Sequence, residues 1–436
     1  MNTTPPSTAK GPNFFRQIFL SFREETGQSL RVWAIVALLN FAAQIIFHRE
    51  LAQGEFSSLN TLLGVVGLMI VPVLALHLAF IFYLAQNDSP ERQEQINAFR
   101  AAAPLVTQTV ALIWGGISIL VLFVLLPLLN LPRFSLSLFT FMTVLISLGT
   151  LVSGSICQNK KSLRAWGWFL VIAALMRVLL GAGIAWKEPW AESGLAAFVL
   201  AGFITLTPVL RQPEAELATM KEWKILWNRD FLLYLSATFS VVLALFLFSS
   251  ADRIVAQSWF GRSYNNNLGL VDWPALDGYQ TAGLLGRALL WGTQPLLLIF
   301  FMQRSRLNRT TRASLKYFWI YLGVLLAGAV LLALLGRPLS WLFCGGDSPL
   351  TYKLIPMFAI AMTLLGIVQG VGMFALASRR YPECFILGGC SIGYVLLLYI
   401  EGKQPVMMLT EMFGGALFSL LLVLFVGVVR WGRRQP

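Results

Sequence analysis

Apolar runs about twenty residues long, separated by short polar turns, recur from one end of the chain to the other. They fall at roughly 30–48, 61–85, 104–129, 135–157, 165–186 and 193–210. A second set follows at roughly 231–251, 280–302, 317–336, 352–378, 383–400 and 411–430. A helix needs about 20 apolar residues to cross a hydrocarbon core. The pattern therefore predicts an all-α polytopic membrane protein with about twelve transmembrane helices in two sets of six.

The two sets share text. His48-Arg49-Glu50-Leu51-Ala52-Gln53 closes span one, and Asp252-Arg253-Ile254-Val255-Ala256-Gln257 closes span seven. An aromatic opens the next run in each copy, Phe56 and Tyr279, and a proline follows sixteen residues later in both, Pro72 and Pro295. In so apolar a chain short matches also arise by chance, but their equivalent places in the pattern favour a duplicated unit. Paired halves of this kind build many transporters, and two six-helix bundles related by a pseudo-two-fold axis are expected.

The polar stretches set the expected boundaries. Asn13 to Leu30 places Phe15, Ile18, Phe19 and Phe22 on one helical face, so residues 1–29 read as a cytoplasmic interfacial segment. Residues 30–211 form the N-terminal bundle, 212–230 a mixed-charge cytoplasmic linker, 231–430 the C-terminal bundle and 431–436 a cytoplasmic tail. Docking of a partner protein is the other reading of the interfacial segment and the linker. The first apolar run leads into Arg49 without a small-residue cleavage site, so no cleavable signal peptide is expected.

Composition sharpens the class. The chain is 57% hydrophobic and 12% charged, with mean hydropathy +0.71, whereas a soluble domain is about a quarter charged. The net charge of +13 does not point to nucleic acid, because the basic residues sit in short turns. With the N-terminus inside and all twelve runs crossing, 23 Lys and Arg face the cytoplasm and 8 face out. That bias fits the positive-inside rule with both termini cytoplasmic. Cys157, Cys344, Cys384 and Cys390 lie on different segments without metal-ligand or disulfide spacing, so no metal or cofactor is expected.

Chemistry in such a chain lies in its deep polar groups. Arg177 sits in span five, and Arg287 in the outer third of span eight. A mid-membrane arginine costs roughly 2.5–3.5 kcal/mol on insertion scales, so each faces either a cavity or an intramembrane partner. The acids closest to the membrane are Asp252, Glu383 and Glu411, and none is at mid-span. Asp252 is expected to pair with its neighbour Arg253 or to cap the loop. Two deep cations without equally deep acids would make a cavity of net positive charge. Guanidinium grips a phosphate or pyrophosphate with two parallel hydrogen bonds, so the expected ligand is anionic. Asn40, Gln44 and His48 recur on one face of span one, and Arg287, Trp291 and Gln294 share a face of span eight. Amides and flat aromatics suit a glycan, and ordinary helix-to-helix hydrogen bonding suits them equally. The candidate substrate-binding set is thus Arg177, Arg287, Asn40, Gln44, Trp291 and Gln294. His77 reads as a satisfied core histidine before a proton relay, and Gly366 with Gly370 as a close-packing pair. No catalytic set and no ATP-binding loop is recognisable.

At these residues the chain resembles the Wzx-like polysaccharide and lipid-linked oligosaccharide flippases of the MOP exporter superfamily. Arg49-Glu50-Leu51-Ala52-Gln53-Gly54-Glu55-Phe56-Ser57-Ser58-Leu59-Asn60 is similar to that family's turn between spans one and two. Ala251-Asp252-Arg253-Ile254-Val255 resembles its tag at the end of span seven. Gly278-Tyr279-Gln280-Thr281-Ala282-Gly283, with Gly286, Arg287 and Pro295, resembles its eighth span. Gln53-Gly54 replace a frequent Gly-Pro, and Ser258 to Leu276 lengthens an outer loop that is usually short.

The resemblance implies a MATE/MOP-like fold rocking about a central cavity in a bacterial inner membrane. It implies an undecaprenyl-diphosphate-linked glycan or similar anionic lipid as substrate, for cell-surface polysaccharide biosynthesis. Arg177 and Arg287 would hold the pyrophosphate. Membrane lipids and polysaccharide-assembly proteins are the implied partners, and nucleic acid is not one. Two rival activities, and a non-transporting scaffold that kept the fold, stand beside this non-enzyme reading. A cation-coupled MATE-type exporter calls for acidic or aromatic cavity residues. A membrane glycosyltransferase, polymerase or ligase calls for an acidic pair such as Glu50 and Glu55.

Overall fold

The computed structural model describes residues 25–52, 54–86, 93–129, 131, 133–159, 163–210, 223–224, 228–260, 273–306, 311–346, 348–402 and 404–432. The interfacial stretch before Glu25, most of the 212–230 linker, the middle of the 258–276 insertion and the last four residues of the tail lie outside the described residues.

Fourteen helices of nine or more residues make up the fold among the described residues. The first half holds α1 (Glu25–Glu50), α2 (Glu55–Met69), α3 (Val71–Gln86), α4 (Gln93–Leu128), α5 (Phe134–Asn159), α6 (Leu163–Ala185) and α7 (Ala191–Gly202). A 3-10 turn, Phe203–Leu206, carries the chain on from α7 to Leu210. The second half holds α8 (Arg229–Phe260), α9 (Trp273–Arg306), α10 (Thr311–Leu334), α11 (Gly336–Cys344), α12 (Pro349–Ala377), α13 (Tyr381–Glu401) and α14 (Pro405–Gly432).

Nine of these elements are long and apolar enough to cross a membrane, and eleven if each of two bent pairs is one span. α9 falls outside that count. Its mean hydropathy is lowered by Asp277, Gln280, Arg287 and Gln294, the polar groups that make it interesting.

Two of the expected spans are not straight rods. Span two bends by 50° between α2 and α3, at Ile70 ahead of Pro72. A proline removes one intrahelical hydrogen bond and its ring crowds the preceding turn. The equivalent Pro295 sits inside α9, which continues through it. Span nine breaks by 70° at Leu335, where Gly336-Arg337-Pro338 starts the short α11.

Helix packing repeats between the halves. In the first half span one packs on span five (α1 on α6), span three on four (α4 on α5), and spans four and five on six (α5 and α6 on α7). The second half has the same neighbours: α8 on α13, α10 on α12, and both α12 and α13 on α14. The halves meet where α2 and α3 lie along α8, and where α9 approaches α1. The turn after the first tag meets the start of α9, where Gly54 donates to Asp277, and this end is called here the tag end; Arg253 packs deeper, against the middle of α2 at Thr61 and Gly64.

Gly366 and Gly370 behave as read. A Cβ at Gly366 would lie 2.5 Å from a Leu325 methyl, and one at Gly370 would lie 2.9 Å from the Phe318 ring. The Tyr321 hydroxyl donates to the Gly366 carbonyl at 2.8 Å, so α10 and α12 approach on a surface without side chains. His77 is likewise a core residue, its Nδ1 2.8 Å from the Ser155 hydroxyl.

Candidate functional site

Two arginine clusters, one in each half, carry the deep charge. In the first half α1 carries Asn40 and Gln44 one turn apart, and α6 brings Arg177 against Asn40. Arg177 Nη1 donates to Asn40 Oδ1 at 2.5 Å. The guanidinium carbon stands 4.0 Å over the centroid of Phe198 on α7, a cation–π arrangement. Phe198 is itself stacked on Phe47, with ring centroids 6.1 Å apart. Arg177 Nε is buried without a hydrogen-bond acceptor, and so is Gln44 Oε1 without a donor. No carboxylate pairs with Arg177 among the described residues. The half-buried guanidinium is therefore held by an amide and a ring, with its charge uncompensated.

The second cluster corrects the expected pairing of Asp252. The sequence pattern ends span seven near Ala251, whereas α8 runs on to Phe260 and carries Asp252 and Arg253 inside the bundle. Asp252 pairs with neither its neighbour nor the loop. Its Oδ2 accepts from Arg287 Nη2 at 2.5 Å and from the Tyr279 hydroxyl at 3.1 Å. Arg287 Nε also donates to the Ser249 carbonyl at 2.6 Å. Arg287 is only 1% exposed, so a deep acid does compensate it here, and the expectation of two unpaired deep cations holds for Arg177 alone.

The rest of the α9 stripe parts company with Arg287. Trp291 is 40% exposed and Gln294 is exposed too, while Arg287 one turn away is sealed. In the α1 stripe, His48 does not join Arg177. It packs edge-on against Phe56 at 4.6 Å and Phe343 at 6.1 Å.

Three buried polar residues lay outside the candidate substrate-binding set. Arg253, Asn60 and Gln280 line the seam where α2 meets α8 and α9. Gln280 Nε2 donates to the Arg253 carbonyl at 3.2 Å and to Thr61 Oγ1 at 3.4 Å. The available signal was an amide at the entrance of an apolar run, Asn60 just before span two and Gln280 at the start of span eight.

The tag end is closed by bonds between the halves. The Gly54 amide donates to Asp277 Oδ2 at 2.9 Å, and the Ser57 hydroxyl donates to Asp277 Oδ1. Gly54 has φ 82°, a left-handed turn that glycine adopts freely, and this turn aims its amide across the seam. Arg49 donates twice to the Leu342 carbonyl near the end of α11, at 2.9 and 2.6 Å. Glu55 is committed to structure: it takes both Arg133 donors, at 2.7 and 3.2 Å, and the Ala191 amide at 3.0 Å. At the far end, Phe80 and Tyr83 of α3 pack on Phe231 of α8, with centroids 5.2 and 5.3 Å apart, and Phe82 packs on Phe301 of α9.

No family model and no curated protein matches the chain. Solved structures do. A eukaryotic MATE transporter, AtDTX14, superposes with TM-score 0.69 at 10% identity, covering 96% of each chain. The Vibrio cholerae MATE transporter VcmN in its bent form gives 0.58 at 13% identity, covering 93% of this chain and 96% of that one. The lipid II flippase MurJ in an inward closed conformation gives 0.58 at 14% identity, covering 90% of this chain and 85% of that one. The chain therefore has the polytopic all-helical fold shared by MATE transporters and this flippase.

Proposed function

We propose that the protein is a flippase that moves an anionic lipid-linked oligosaccharide or polysaccharide precursor across a bacterial inner membrane by alternating access, for cell-surface polysaccharide biosynthesis. The observation that carries this reading is Arg177. It is a half-buried guanidinium with no acidic partner among the described residues, an unused Nε, and Asn40 and Phe198 holding it in place. A phosphate or pyrophosphate would supply the missing acceptors, and the planar fork can give it two parallel bonds. Asn40 and Gln44 offer amides to the adjoining sugar.

The C-terminal residues Arg287, Trp291 and Gln294 complete the proposed path. In this conformation Trp291 and Gln294 are exposed while Arg287 is held by Asp252. Arg287 would meet substrate only in a state that loosens that pair. An exporter of cationic compounds is less well supported, because the deep acid Asp252 is already occupied by Arg287.

The test compares Arg177→Gln, which loses the charge, with Arg177→Lys, which keeps the charge and loses the fork. Glycan export is expected to be nearly abolished by Gln and partly retained by Lys, with both proteins present in the membrane at ordinary levels. A stable, fully active Arg177→Gln protein would sink the reading.

A further inference from the structure

We propose that Arg253, Asn60 and Gln280 form a second anion-binding site, in the seam between α2 and the α8–α9 pair, whose ligand is a phosphoryl group. It stands on different residues from the proposed substrate site at Arg177 and on observations of its own.

Charge comes first. Arg253 is 6% exposed, and the charges that act on it are Arg287, of like sign, and Asp252. Asp252 already holds Arg287, so two buried guanidiniums share one carboxylate. Arg253 Nη2 donates only to a neutral group, the Ser250 hydroxyl at 2.8 Å, and its Nε is buried without an acceptor. Arg287 Nη1 is in the same position. An uncompensated buried charge is costly, and a bound anion removes that cost.

The surrounding amides narrow the ligand. The Arg253 guanidinium lies against Gly64, where a Cβ would come 2.5 Å from Nε. Asn60 stands one turn away on the same face of α2, is 1% exposed, and has neither amide atom hydrogen-bonded. Gln280, pinned by its Nε2 to the Arg253 carbonyl, also has a buried Oε1 without a donor. The seam thus offers unused donors, Arg253 Nε and Asn60 Nδ2, and unused acceptors, Asn60 Oδ1 and Gln280 Oε1. A halide can satisfy only donors. A phosphoryl group that carries a proton, or that neighbours a hydroxyl, satisfies both kinds. The seam is closed in this conformation, and the ligand enters when α2 parts from α8.

The phosphoryl group can be free or carried by a lipid, and the test separates these sources. The purified full-length protein is melted with inorganic phosphate or inorganic pyrophosphate, with sodium chloride as control. In parallel it is melted in phosphatidylcholine nanodiscs with and without phosphatidic acid, whose headgroup is a phosphomonoester. Stabilisation by the soluble anions assigns a free ligand, and stabilisation by phosphatidic acid assigns a headgroup. Either response should weaken about tenfold in concentration on losing one charge-assisted contact. That loss is expected in Arg253→Gln and in Asn60→Leu, and a response lost in Arg177→Gln but kept in Asn60→Leu belongs to the site at Arg177 and overturns the proposal. Asn60→Leu removes amide atoms that make no hydrogen bond within the protein, so it is expected to fold even if Arg253→Gln does not. No stabilisation by any phosphoryl probe overturns the proposal, as does a response that Asn60→Leu leaves intact.

Discussion

Arg287 on α9 and Asp252 on α8 are joined by a 2.5 Å ion pair in which the two side chains are 1% and 0% exposed. The pair ties the two helices together within the C-terminal half, next to the seam with the N-terminal half. Tyr279 shares the same carboxylate oxygen, leaving the other, Oδ1, without a partner.

Breaking this pair from one side leaves a lone charge in a dry interior, at a cost of about 3–5 kcal/mol. Arg287→Gln and Asp252→Asn are each expected to lower the melting temperature of the purified protein markedly. The double substitution Arg287→Met with Asp252→Leu should recover much of that loss, because neither charge is then stranded. A double variant as unstable as the sum of the singles would show that the pair is not the source of the effect.

Closure of the tag end rests on Asp277, which accepts from both Gly54 and Ser57. Cysteines at Ser57 and Asp277 should form a disulfide under mild oxidation and arrest transport, with activity returning on reduction. Unimpaired turnover in the cross-linked protein would mean that this end need not open.

Gly64 gives Arg253 its place. An alanine there puts Cβ 2.5 Å from Nε and 3.1 Å from Cζ, so the guanidinium must shift. Overpacking of this kind costs about 1–3 kcal/mol. The loss should vanish when Arg253→Ala is added, and a Gly64→Ala defect that persists in that double variant would place the clash elsewhere.

Orientation is open to reporter fusions. The distribution of basic residues predicts cytoplasmic signals after Arg164, Arg229 and Lys316, and external signals between Ser263 and Leu268. An external signal at Lys316 would contradict the two-by-six layout.

Much of the fold was written in the order of residues. Runs of apolar side chains long enough to cross a bilayer, punctuated by basic turns, admit little besides a helical membrane protein, because each backbone polar group must be satisfied within its own segment. The repeated tags at His48 and Asp252 announced two halves, and the packing neighbours are the same in both. Pro72 and the Gly336-Arg337-Pro338 stretch carried the chemistry of the bends, although the apolar runs alone read as straight spans. Arg177 and Asn40 were each legible as costly polar groups within apolar runs, but that the two meet was not.

What the order of residues did not hold is which deep groups face each other. Asp252 looked like a loop residue because the apolar run stops at Ala251, yet α8 continues for another nine residues and takes Asp252 into the bundle. Its partner Arg287 is thirty-five positions away, on a helix that runs back alongside α8. Hydropathy reports the depth of a residue along its own helix. Whether a guanidinium is quenched by a carboxylate or left with unused donors is decided by the rotation and register of neighbouring helices, and those are set by packing across the whole bundle. For that reason Arg287 and Arg177, alike in sequence, ended in opposite electrostatic states.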